Sequence, residues 1–60
     1  MPYIDVRIYE GRLNEASEKE LVARLTDAVA EVFGDEIRAA TWITLTGVPE
    51  KRWGIAGVTG

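Results

Sequence analysis

From Tyr3 to Tyr9 the chain alternates, with Ile4, Val6 and Ile8 on one side and Tyr3, Asp5, Arg7 and Tyr9 on the other. A period of two is that of a pleated strand, so this stretch predicts a strand with one apolar face. Glu10-Gly11-Arg12-Leu13-Asn14 breaks the alternation and predicts a short loop, with Gly11 expected to adopt the unusual backbone angles of a turn. The period then changes. Leu21, Val22, Leu25, Ala28, Val29, Val32 and Phe33 recur at helical intervals, which predicts an amphipathic helix with one buried stripe. Asn14 and the Ser17…Glu20 capping-box spacing both mark its start, and Gly34 marks its end. Alternation returns from Thr41 to Thr46, a segment rich in β-branched residues, so a second strand is expected. Thr41, Ile43 and Leu45 should face the helix, Trp42 and Thr44 should face away, and Gly47 and Pro49 should close the strand. The tail from Arg52 carries Gly54, Gly57 and Gly60, which suits a turn or small hairpin and not a helix.

These elements predict an α+β fold of one domain, residues 1–60: a single β-α-β unit with parallel strands joined by a right-handed crossover, and a short C-terminal turn or hairpin. One helix covers one face of a two-stranded sheet. The other face would expose Tyr3, Tyr9 and Trp42, although parallel sheets are almost always covered on both sides. A 60-residue domain hides only about 60% of the surface its unfolded chain exposes. Cysteine and histidine are both absent, which excludes disulfides and argues against a structural zinc site. Oligomerisation through the sheet is the remaining source of stability.

Composition narrows the chemistry further. Ten acidic residues against seven basic ones give a net charge of −3, the wrong sign for following a phosphate backbone, so no nucleic-acid partner is expected. No apolar run approaches the ~20 residues that span a bilayer, and residues 1–15 lack a signal-peptide pattern. A cytoplasmic location without a membrane partner is the expectation. Without histidine or cysteine, the candidate bases are carboxylates, Lys19, Lys51 and an α-amino group. No metal or cofactor is called for. The chain opens Met1-Pro2, and an initiator methionine before a small residue is usually removed, which would leave Pro2 as a secondary amine. Burial in a poorly solvated site disfavours the charged form of such an amine and makes it a neutral base near pH 7. Alternatively, Pro2 only begins an edge strand.

Pro2, the first strand, Glu10-Gly11-Arg12, one amphipathic helix, the second strand and Arg52-Trp53-Gly54-Ile55-Ala56-Gly57 occur in this order across nearly the whole chain. Together they resemble the 4-oxalocrotonate tautomerase family. That resemblance implies an isomerase, associated with the catabolism of aromatic compounds, whose N-terminal proline moves a proton between the enol oxygen and a carbon of a 2-hydroxydienoate or enolpyruvate. It assigns that catalytic role to Pro2. It makes Arg12 the ligand of a substrate carboxylate, a task suited to two parallel hydrogen bonds from a planar guanidinium. The alternative for Arg12 is a solvated loop arginine paired with Glu10 or Glu15. Trp53 would be the apolar wall around the proline, a role compatible with ordinary packing at a subunit interface. The resemblance also implies a homo-hexamer built as a trimer of dimers.

One departure from the family pattern concerns the second strand. Relatives acting on dicarboxylates carry a second arginine where Trp42 stands here. Trp42 offers an apolar surface and one indole N–H, and Arg52 or Arg38 would have to replace the missing charge. The substrate-binding candidates are thus Arg12, Trp53, Trp42 and Arg52, and enols with one carboxylate are the expected substrates. Two other readings stay open. One is a catalytically silent subunit that completes a hetero-oligomer; the other is a related hydratase or dehalogenase, for which no matching acid is evident near the second strand.

Overall fold

A computed structural model describes all 60 residues. Strand β1 spans Tyr3–Tyr9, helix α1 Glu15–Phe33 and strand β2 Trp42–Val48, while β3 (Gly54–Ile55) and β4 (Val58–Thr59) form a small antiparallel hairpin. β1 and β2 pair in parallel from Tyr3 with Trp42 to Tyr9 with Val48. The expected β-α-β unit with a C-terminal hairpin is therefore present.

The helix begins where sequence places it. Asn14 is the N-cap, and its side chain accepts from the Ser17 N–H at 2.9 Å while the Asn14 N–H donates to Ser17 Oγ at 3.0 Å. The box is thus Asn14 with Ser17, not the expected Ser17 with Glu20: Ser17 is the third helical residue instead of the cap, and Glu20 pairs with Arg24. Gly34 ends the helix with φ +103, and its N–H donates to the Ala30 carbonyl. Lys19–Glu15 and Arg24–Glu20 are exposed ion pairs one turn apart, worth a few tenths of a kcal/mol each. A 3-10 segment, Asp35–Ala40, leads into β2.

Three expectations need correction. Gly11 does not take a positive φ, because Glu10–Arg12 forms a 3-10 turn whose backbone any residue can adopt. Gly47 does not close β2, which continues through it to Val48 and ends before Pro49. The buried stripe of α1 is narrower than its apolar residues: Leu21, Leu25 and Val29 are half-buried and Ala30 is buried, but Val22, Ala28, Val32 and Phe33 are exposed.

The β-strands alternate as expected. Ile4, Val6, Ile8, Ile43 and Leu45 turn inward and are half-buried, while Tyr3, Asp5, Arg7, Trp42, Thr44 and Thr46 occupy the open outer face. On that face the Tyr3 hydroxyl meets Thr44 Oγ1 at 2.6 Å, Thr44 Oγ1 donates to Asp5 Oδ1 at 3.1 Å, and Arg7 lies 3.6 Å from Asp5.

This packing leaves the chain with almost no interior, since Ala30 is the one residue that is buried. Its accessible surface is 4724 Å². A compact monomer of 6.6 kDa would expose about 3,900 Å². Its radius of gyration of 14.2 Å likewise exceeds the ~10 Å of a compact 60-residue domain. No helix is long and apolar enough to cross a membrane.

Candidate functional site

Because β1 and β2 are parallel, each end of the sheet gathers the same end of both strands. At the starting end stands Pro2, half-buried, whose carbonyl accepts from the Trp42 N–H at 3.0 Å. Trp42 lies beside it in register with Tyr3 and is 60% exposed. Arg38, in the segment just before β2, is paired with two carboxylates: Nε donates to Asp35 and Nη1 to Asp27, each at 2.7 Å. These hydrogen bonds, that to Asp35 first, hold its guanidinium above the ordinary value. Arg38 would have to share its guanidinium with these two carboxylates to replace the second-strand arginine.

At the finishing end each strand runs into a 3-10 turn that opens with Glu and closes with Arg, Glu10-Gly11-Arg12 after β1 and Glu50-Lys51-Arg52 after β2. Of the seven basic side chains, Arg7, Lys19, Arg24 and Arg38 are ion-paired within the chain. The three that are not, Arg12, Lys51 and Arg52, all lie in these two turns. Arg12 is exposed and pairs with neither Glu10 nor Glu15.

The first turn is held in place by a close approach. A Cβ on Gly47 would lie 3.2 Å from the Glu10 Cα and 3.2 Å from Leu13 Cδ1, so only glycine lets the turn before Leu13 press against β2. The second turn is fixed through Trp53. Its indole N–H donates to the Val48 carbonyl at 3.2 Å, and its ring tilts by 50° against Tyr9 with centroids 5.1 Å apart. Between the turns lies an open depression of about 350 Å³ lined by Tyr9, Glu10, Gly11, Arg12 and Glu50. Arg12 also borders a neighbouring apolar groove of about 290 Å³ floored by Ile8, Leu13 and Leu21.

The fold thus brings Arg12, Arg52 and Trp53 to one end of the sheet and leaves Pro2 and Trp42 at the other. Seven strand residues at ~3.3 Å each put roughly 20 Å between the two groups. Pro2 and Arg12 of one chain cannot touch the same small acid, nor can Trp53 wall in the proline of its own chain. Two residues of the depression were not singled out from sequence. Tyr9 reads there as an outward strand residue, and Glu50 is a carboxylate directly after the second strand, where none had been found. No group of three or more acidic side chains is placed to hold a metal ion.

A family model described as a tautomerase enzyme matches residues 2–59, from the candidate proline to the last strand of the hairpin. No curated protein matches the chain significantly.

Proposed function

The chain belongs to the tautomerase family, and from that premise we propose that it is an enol-keto isomerase of 2-hydroxydienoates or enolpyruvates, with Pro2 as base and then acid. Once Met1 is removed, the Pro2 nitrogen takes the proton of the enol hydroxyl. The C–C double bond shifts as the carbonyl forms, and the same proton is returned to carbon. Arg12 holds the substrate carboxylate, and Trp53 supplies the apolar wall.

The observation that carries this reading is the unpaired Arg12 in a half-open depression beside the Tyr9–Trp53 aromatic pair. The roughly 20 Å between Pro2 and Arg12 then requires that one copy's proline meet another copy's arginine. Association is supported by magnitude: the chain's surface exceeds that of a compact monomer by about 800 Å², which is what one partner contributes to a standard interface. A homo-hexamer in the cytoplasm is the assembly we propose. Light scattering should report several protomers, and a folded monomer at micromolar concentration would contradict it.

A second reading, hydration of an unsaturated acid, is favoured by Glu50, a carboxylate in the same depression that could activate water. The deciding experiment combines intact mass with an ultraviolet assay of enol decay. The tautomerase reading expects a native mass lacking Met1 and turnover of arylenolpyruvate that Pro2→Ala abolishes. Retained Met1, or equal turnover by both proteins, sinks the Pro2 mechanism.

A further inference from the structure

Strand β1 carries two tyrosines on the same face, and their hydroxyls meet different fates. Tyr3, at the start, is committed to Thr44 Oγ1 at 2.6 Å. Tyr9, at the finish, has no hydrogen-bond partner for its hydroxyl among the side-chain hydrogen bonds of the chain. Its ring is nonetheless fixed. Trp53 lies against it, and Trp53 is itself tied to the Val48 carbonyl, so Tyr9 is half-buried where Tyr3, Asp5 and Arg7 on the same face are exposed. Holding a ring firmly while leaving its hydroxyl unanswered leaves a donor positioned for something outside the chain.

What lies nearby identifies the chemistry. Tyr9 lines the same depression as Arg12, whose guanidinium makes no ion pair. The remaining lining side chains, Glu10 and Glu50, accept hydrogen bonds when ionised and repel an anion, so Arg12 and Tyr9 are the two side chains there that can donate to one. A planar fork and a phenol three residues apart, at the two ends of one strand-to-turn junction and lining one depression, suit an acid with a second oxygen on the carbon next to its carboxylate. We propose that Tyr9 is a substrate-binding, specificity-determining residue: its hydroxyl donates to the 2-oxygen of a 2-oxo or 2-hydroxy acid whose carboxylate is held by Arg12. This rests on the proposed carboxylate role of Arg12 but not on Pro2. A donor at the 2-oxygen becomes more favourable as negative charge develops there during proton transfer, so it also aids the isomerisation.

The test uses the intact protein and two monocarboxylates of matched shape, phenylpyruvate and 3-phenylpropionate, the second lacking the 2-oxygen. Binding is titrated by tryptophan fluorescence and calorimetry for the native protein, Tyr9→Phe and Arg12→Ala. Tyr9→Phe keeps the ring against Trp53 and removes only the hydroxyl. The expected result is a loss of roughly tenfold in phenylpyruvate affinity with 3-phenylpropionate unchanged, whereas Arg12→Ala weakens both. Equal weakening of the two ligands by Tyr9→Phe would make Tyr9 a packing residue and overturn the proposal. So would an unchanged phenylpyruvate affinity, or failure of the native protein to prefer phenylpyruvate. If Pro2→Ala leaves turnover intact while Tyr9→Phe discriminates the two acids, the proline mechanism falls and the Tyr9 site stands.

Discussion

The two ends of the parallel sheet differ in how their polar groups are satisfied. At the start of the strands the chain answers its own needs: Trp42 N–H finds the Pro2 carbonyl, the Tyr3 hydroxyl finds Thr44, Arg7 lies near Asp5, and Arg38 bonds to Asp35 and Asp27. What that end leaves open is apolar, with Met1 80%, Tyr3 56% and Trp42 60% exposed. At the finish the reverse holds. The aromatic groups Tyr9 and Trp53 are packed together, while Arg12, Lys51 and Arg52 make no ion pair although Glu10 and Glu50 stand in the same turns. On the proposed reading one end presents the candidate base, Pro2, beside apolar surface and the other presents Arg12 and Tyr9 as donors for an anion. A single substrate would then need both ends, and neither would be a site alone.

The strongest way to break this comparison is to disable each end in a different chain. Pro2→Ala and Arg12→Ala should each lower kcat/KM for an arylenolpyruvate by about a hundredfold or more. If the site joins one copy's proline to another copy's arginine, equal amounts of the two variants, unfolded and refolded together, should regain about a quarter of the native rate, the statistical share of sites with both residues intact. The double variant refolded with native chains supplies the control. A mixture that stays as inactive as its parts would place both residues in one chain's site, which the length of β1 forbids, or remove one of them from the chemistry.

Which parts of this arrangement were legible in sequence follows from how each is encoded. The strands were, because a period of two reports a half-buried pleat directly, and the helix ends were, because Asn14 and Gly34 act through their own backbone neighbours. The flank of the helix was not. Two strands ~4.8 Å apart make a sheet only one helix wide, so Leu21, Leu25 and Val29 are covered while Val22, Val32 and Phe33, on either side of them, are not. The segment Asp35–Ala40 left no periodic trace, as 3-10 turns rarely do. Pro2, Arg12, Trp42, Arg52 and Trp53 were visible as candidates, but their division between two ends depends on parallel register. That same register brings Tyr9 and Glu50 into the Arg12 depression.

A subtler perturbation acts on the finishing end alone. Gly47→Ala would set a methyl 3.2 Å from the Glu10 Cα and 3.2 Å from Leu13 Cδ1. The leucine can turn aside; the backbone of the Glu10–Arg12 turn cannot do so without moving Arg12. We expect a stability loss of about 1–3 kcal/mol by thermal or urea unfolding, with a rise of several-fold in KM for carboxylate substrates and little change in kcat. The start of the sheet, with Pro2 and Trp42, lies at the other end and is not touched. Unchanged KM in a folded variant would show that Arg12 is not positioned through this approach.

The smallest expected effect sharpens the comparison at the starting end, through Trp42. An enol with one carboxylate needs one guanidinium, the role proposed for Arg12; a dicarboxylate such as 2-hydroxymuconate needs a second charge-assisted contact, each worth about 1.5–3 kcal/mol when well shielded. Arg38 already bonds to both Asp35 and Asp27 and would have to share or give up those contacts to provide it. Trp42, exposed beside Pro2, instead offers an indole face against which an aryl group can pack. The native protein should therefore turn over an arylenolpyruvate with a higher kcat/KM than 2-hydroxymuconate. Trp42→Arg should narrow that gap by several-fold rather than a hundredfold, because a guanidinium at so open a position is screened by solvent. Side-by-side ultraviolet assays of both substrates on both proteins measure the gap, with Arg52→Ala as a third arm. A native preference for the dicarboxylate that Arg52→Ala removes would move the second clamp to the turn after β2, beside Arg12, and return Trp42 to the role of an interface residue.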